Sequence, residues 1–356
     1  MKKISLILAV LLIVGLFTGC AGTTVVYYSD CTCPAGSHTP PATNPPVLTQ
    51  GALKTGLYIS TGIGDSKSAA GDENGEAKYD VTMVAVLVDD KGVIQDCIID
   101  GIAASVKFDA SGAITSDLTA PVQTKNELGD KYGMVAWGGA IAEWDEQAAA
   151  LARYAVGKTV DELKNGAIDE TGKAPAGSDL ASSATIYLGG YVAAIEQAVS
   201  GARHLGAQSG DTLKLAAMPS IGSSKNAEAD KDGTAQLDVD VTAMTMKDGV
   251  ITSCVIDSVQ AKVSFNAAGE VTTDLSAPVQ TKNQLGKNYG MVAWGGAIAE
   301  WNEQAAAFAA YVTGKTPADV AGIAVNEGTK PTGADLSASV TIAIGGFQAL
   351  IAKAAQ

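Results

Sequence analysis

Two stretches of this chain crowd together side chains able to do chemistry: DLASSATIYLGGY, beginning at Asp179, and DLSASVTIAIGGF, beginning at Asp335. Each has an acid, small or hydroxyl residues (Ser182 and Ser183, or Ser337 and Ser339), a Thr at 185 or 341, and then an apolar run broken by Gly-Gly. Hydroxyl and amide donors at an open helix start suit a phosphate, because unpaired N–H groups and the helix dipole favour an anion. Asp179 and Asp335 are placed to act as helix N-caps or first-turn acids. Gly-Gly inside a helix costs roughly 1 kcal/mol per Gly relative to Ala. Something must therefore approach that backbone closely, either a neighbouring element or a planar ligand.

A second group of residues lies upstream. PVQTKNELGDKYGMVAWGGAIAEWDEQ at 121–147 recurs as PVQTKNQLGKNYGMVAWGGAIAEWNEQ at 278–304, and only four of the 27 positions differ. All four tryptophans of the chain lie in these copies, as Trp137, Trp144, Trp294 and Trp301. Lys125 and Lys282 can pair with a phosphate, and Trp137 and Trp294 can stack on a planar ring. The same residues can equally form a core and a surface charge. Identity concentrated here implies that both copies use the patch in one way, for a ligand or for an interface. The expectation is that Trp137, Trp144 and Lys125, with their counterparts, surround a pocket or shared interface near the start of the last helix.

The elements that position these residues also come in pairs. IGDSKSA at 63 matches IGSSKNA at 221, and KGVIQDCIID at 91 matches DGVITSCVID at 248. The chain is thus a tandem duplication joined near 205–212, with repeat domains at 51–204 and 210–356. YDVTMVAVLV and LDVDVTAMTM alternate with the period of strands, and turns at DDKG or KDG lead into second strands. SVKFDASGAIT and KVSFNAAGEVT predict further hairpins turning at Ser111-Gly112 and Ala268-Gly269. The Ala-rich stretches from Gly139 to Val156 and from Gly296 to Val312 predict helices, and a final helix carries Leu188, Tyr191, Val192, Ile195 and Val199. Each copy is expected to be an α+β domain, an antiparallel sheet with one polar face, packed with helices.

Asp179-Leu-Ala-Ser182-Ser183-Ala184-Thr185 and the helix after it resemble the Asp-x-x-Ser/Thr-Gly-Ala-Thr signature of FMN-binding domains. The resemblance implies an FMN esterified through its phosphate to Thr185 or Thr341, and a role in electron transfer outside the cytoplasm with a redox partner. Ser183 and Ser339 replace the Gly of the signature, Ala338 replaces the hydroxyl residue and Val340 the Ala. Thr185 is therefore the better-matched attachment position. On this reading Ser182, Ser183, Ser339, Lys125, Lys282, Trp137 and Trp294 complete the cofactor sites.

The chain opens with Met1-Lys2-Lys3 and an apolar run from Ile4 to Phe17, too short to span a bilayer comfortably, since spanning needs about 20 apolar residues. LFTGC resembles the lipobox of bacterial lipoproteins. That implies an export signal over 1–19, lipidation at Cys20 and a location on the extracytoplasmic face of the cell membrane. Cleavage elsewhere, with Cys20 an ordinary cysteine, is the competing reading. Residues 20–50 are rich in Thr and Pro and read as a tether. A local disulfide and free thiols both fit Cys31 and Cys33, whose spacing does not suit a metal knuckle. The formal charge of −14 disfavours nucleic acid and anionic lipid as partners, so membrane association is expected to depend on the lipid at Cys20.

Other chemistries find little purchase. Past the N-terminal segment, which holds His38, there is a single histidine, His204, at the join between copies, so a duplicated Ser-His-Asp or His-metal site is excluded. Cys97 and Cys254 sit among apolar strand residues and read as inert buried thiols. Three classes stay open: a flavin-carrying electron-transfer lipoprotein, a noncatalytic lipoprotein binding a small molecule or polymer through the Trp-bearing patch, and a structural repeat protein.

Overall fold

The computed structural model describes residues 51–356; the expected export signal and tether, with Cys20, Cys31, Cys33 and His38, lie outside the described residues. Strands β1 (Ala52–Gly62), β2 (Gly75–Val88) and β3 (Ile94–Phe108) form an antiparallel meander. A short strand at the join, β4 (Arg203–Gln208), pairs with the free edge of β1 to give the order β3-β2-β1-β4. The second copy repeats the meander as β5 (Thr212–Ser220), β6 (Gly233–Lys247) and β7 (Val250–Phe265). The α+β class and the duplication are as the sequence implies.

The polar sheet face is not. Tyr79, Val81, Met83 and Ile102 of the first sheet pack against Leu237, Val239, Val241 and Val259 of the second. Val84, Val86 and Val88 point the other way and lie beneath the helices. Both faces of each sheet are thus covered, in a helix–sheet–sheet–helix stack within one compact unit. The alternation of polar residues in LDVDV signals an outer face covered by half-polar helical surface, not by water: Asp238 and Asp240 are half-buried there and Thr242 is fully buried.

Equivalent residues exchange contacts between copies. Phe108 stacks on Phe265 with centroids 4.0 Å apart and planes 2° from parallel. Ala69 N–H donates to Gly269 O and Ala227 N–H to Gly112 O, each at 2.8 Å. Reciprocity of this kind is what an approximate two-fold axis produces. It also demands the glycines: at Gly112 (φ +71°) an added Cβ would lie 2.7 Å from the Ala227 Cβ, and at Gly269 (φ +68°) 2.8 Å from the Ala69 Cβ. The turns expected at Ser111-Gly112 and Ala268-Gly269 are present, but the return strands shrink to single bridges, Phe108 with Ile114 and Phe265 with Val271. Lys107 N and Ser264 N, which would extend the ladders, bond to Ser116 Oγ and Thr273 Oγ1 instead. The outward-facing N–H groups of Ile114 and Val271 bond across the copies, to Asn226 Oδ1 and Ser68 Oγ at 2.9 Å each.

The first copy's helices are α1 (Lys125–Leu128), α2 (Met134–Gly138), α3 (Trp144–Ala155), α4 (Val160–Ala167) and α5 (Gly189–Gly201). The second copy's are α6 (Lys282–Leu285), α7 (Met291–Gly295), α8 (Trp301–Val312), α9 (Pro317–Ala321), α10 (Ala334–Ser337) and α11 (Gly345–Ala354). The helices expected from Gly139 and Gly296 begin five residues later, because Gly139 is left-handed (φ +62°) and Glu143 and Glu146 form a capping box that starts α3 at Trp144. Asp179 does not cap with its side chain; it precedes a 3-10 turn at Leu180–Ser182. Asp335 sits in the first turn of α10. The Gly-Gly pairs are the first residues of α5 and α11, not a turn inside them. A Cβ at Gly189 would meet the Tyr187 hydroxyl at 2.5 Å, and one at Gly345 would meet Thr329 at 3.1 Å. The close approach comes from the chain's own side chains.

Candidate functional site

The near-identical 27-residue segment is built outward from one buried carboxylate per copy. Asp100, near the middle of β3, accepts from Gly101 N at 2.7 Å and from Asn126 N at 3.0 Å, while Asn126 Nδ2 donates to Ile99 O at 3.0 Å. Asp257 repeats this with Ser258 N, Asn283 N and Ile256 O. Burial pushes both carboxyls up to about 6, against the lowering effect of these bonds. Thr124 and Glu127, and likewise Thr281 and Gln284, close capping boxes on α1 and α6. The TKN tripeptide thereby locks the loop to the sheet.

Lys125 then turns inward. Its ammonium lies 3.2 Å from Asp80 Oδ1, 4.9 Å from the Trp144 ring centroid and 5.4 Å from that of Tyr132. Burial opposes its charge, but Asp80 and the two nearby tyrosines outweigh it and the pKa is raised. Trp144 is buried, donating Nε1–H to Tyr191 Oη at 3.0 Å. In the second copy Lys282 lies 4.7 Å from Trp301 and 5.4 Å from Tyr289, and Phe347 replaces Tyr191. There burial outweighs Asp240, Asp238 and Asp257, and the pKa is lowered. This aromatic and charged cluster seats α3 and α5 on the sheet.

Gln147 and Gln304, the last residues of the segment, are completely buried. Gln147 Oε1 accepts from Thr185 N at 2.8 Å, Ile186 N at 3.1 Å and Thr185 Oγ1 at 3.3 Å, while its Nε2 donates to Ala142 O. Gln304 does the same for Thr341, Ile342 and Ala299. The segment and the Thr-bearing stretch are therefore physically joined through a glutamine that pattern reading passed over. Ser182 Oγ donates to Asp179 O, and Ser339 Oγ to Leu336 O at 3.4 Å; Ser183 is exposed. Ala184 and Val340 are both core residues, so the Ala-to-Val change is absorbed by packing.

Between these anchors the chain makes an outward tip. Glu143, itself buried, accepts from Met134 N at 2.8 Å and Val135 N at 2.9 Å, holding the start of α2. Glu300 holds Met291 N and Val292 N in the same way. Gly133 is left-handed (φ +83°), and a Cβ there would lie 2.4 Å from Trp137 Cδ1. The indole folds back on that glycine and leaves the rest of its surface open. Trp137 is 89% exposed and Trp294 90%, with Val135, Ile141, Val292 and Ile298 also exposed around them. Trp137 and Trp294 are exposed, whereas Trp144 and Trp301 are buried beside Lys125 and Lys282, so the residues expected around one pocket or shared interface are split between a buried support and an exposed tip.

These positions match an FMN site only in part. Thr185 is exposed, yet its amide and hydroxyl are engaged by Gln147. Lys125 is engaged by Asp80, and no ion pair or hydrogen bond among the described residues brings a cationic side chain to Thr185 or Thr341. Cys97 and Cys254 are buried free thiols, and burial raises both, Cys254 to about 12. No protein family matches the chain, and neither a curated protein nor a solved structure is significantly similar to it.

Proposed function

We propose that this protein is a noncatalytic binding module that engages its target through two equivalent apolar tips, residues 133–142 and 290–299. The observation that carries this reading is the exposure of Trp137 and Trp294 on loops that buried Glu143 and Glu300 hold in one conformation. Aromatic side chains, with only two rotatable bonds, lose little conformational freedom on binding and contribute much contact area. Two copies on one body add effective concentration when both reach the same surface. The test is retention on cell-envelope material, glycan and membrane fractions assayed separately. Trp137→Ser/Trp294→Ser is expected to lose retention on at least one fraction while keeping the wild-type circular dichroism spectrum; retention equal to wild type on every fraction defeats the reading.

The resemblance to FMN-binding domains supports a second reading, a flavin esterified to Thr185. It is favoured by the exposure of that residue on a stretch fixed by Gln147. Such a flavin would supply electron transfer; the chain's part would be to present the Thr185 hydroxyl. Intact-mass analysis of protein exported by its native host tests it: one FMN lost in Thr185→Ala and kept in Thr341→Ala supports attachment at Thr185, and an unmodified mass rejects it.

A further inference from the structure

The tips carry no charge from Gly133 to Ala142 or from Gly290 to Ala299, in a chain whose net charge is −14. Apart from the half-buried Met sulfur, the indole N–H is the only side-chain hydrogen-bonding group in either tip. A glycan or polar peptide would find little to bond with here. An apolar interfacial layer asks for a different surface: aliphatic side chains that can leave water and a Trp at headgroup depth.

The differences between copies point the same way. All four substitutions in the 27-residue segment change charge: Glu127 to Gln284, Asp130 to Lys287, Lys131 to Asn288, and Asp145 to Asn302. Glu127, Asp130 and Asp145 against Lys131 leave the first copy two negative charges at these positions, whereas Lys287 gives the second copy one positive charge. Glu127 is engaged by Lys353 and by Thr124 N, but Asp130 and Lys287 are both exposed, three residues before Gly133 and Gly290. The apolar tip is constant and its electrostatic surround is not.

We infer that the tips dock on an anionic lipid surface, with the Trp294 tip and Lys287 of the second copy making the main contact. The inference rests on the reading of the tips as the binding surface. A cation beside an inserted Trp gains from a negative headgroup layer, while the acidic remainder of the surface is repelled by it. The sequence places a membrane within reach if Cys20 is lipidated as its motif implies. Gly51 follows Cys20 by 31 residues, a length that spans at most about 110 Å when extended.

The test mixes the full chain with vesicles of phosphatidylcholine alone, or of an equal mixture with phosphatidylglycerol, each also made with brominated acyl chains. Tryptophan emission reports on the tips whatever the N-terminus does, since Trp144 and Trp301 are buried and give a constant background. On mixed vesicles the emission is expected to shift blue and be quenched by bromine. Trp294→Ser should remove most of that quenching and Trp137→Ser little. Lys287→Asn should weaken partitioning about fivefold on mixed vesicles and leave phosphatidylcholine unaffected. Quenching no greater than in the double Trp variant overturns the inference. If the double variant then loses retention on the glycan fraction, the tips still bind but lipid is not their target. If it matches wild type in every association, the tip reading fails as well. Equal losses from the two single variants overturn the assignment to the second copy.

Discussion

At the scale of residues, four tryptophans that look alike in the sequence have opposite energetic roles. Trp144 is buried against Lys125 and Tyr191, so Trp144→Ala is expected to cost about 3–5 kcal/mol in urea unfolding. Trp137→Ala removes a side chain that is 89% exposed and should change stability by no more than about 0.5 kcal/mol. Comparable losses from the two would contradict the division into support and tip. Gln147 carries a comparable structural weight without any chemical distinction in the sequence. Its replacement by Leu strands the amides of Thr185 and Ile186, and a loss of about 2–3 kcal/mol is expected.

Elements in this fold are coupled through buried carboxylates, and that coupling has a pH signature. Asp100 and Asp257 have folded pKa values raised to about 6 from an ordinary 3.8, so the native state takes up their protons before the unfolded chain does. Stability is therefore lowest, as far as these groups are concerned, above pH 6. It rises as pH falls through 6 toward 4, by on the order of 2–3 kcal/mol per group. The urea midpoint should be higher at pH 5 than at pH 7.5, and Asp100→Asn/Asp257→Asn should flatten that slope. Below about pH 4 the trend reverses, because turn acids such as Asp109 and Asp117, held below their usual range by Ser111 and Thr119, lose those hydrogen bonds. A stability maximum at neutral pH would refute the assignment. At the tip, Glu143→Gln weakens the hold on Met134 and Val135, and amide exchange at those two positions should accelerate while that of β3 stays unchanged.

Considered as a whole molecule, the protein is an internal dimer. The inner faces of the two sheets, with Tyr79, Met83, Phe108, Val241, Phe265 and their neighbours, form a core that neither copy can cover alone. Expression of residues 51–209 by themselves should therefore give a self-associating species by size exclusion, pairing its open sheet with that of a second molecule. A stable, soluble monomer of that fragment would show that the inter-sheet core is dispensable. Divergence between the copies reaches the interior at Tyr191 and Phe347, beside the two buried lysines, and the surface at Asp130 and Lys287.

The duplication, the α+β class and the meander at the start of each copy were legible from local pattern alone, since strand alternation and near-repetition of 27 residues are properties of neighbouring positions. The FMN-like signature and the lipobox are likewise properties of short stretches, and they stand as proposals about chemistry at Thr185 and Cys20. What tertiary structure decided was which side chains are inside. Identical residue types, Trp137 and Trp144, part ways because Gly133 and Glu143 turn the intervening loop outward, and burial depends on the whole path of the chain. The polar face assigned to each sheet disappeared for the same reason: alternation records a difference between two faces, and only the packing of one copy on the other determines what lies against each.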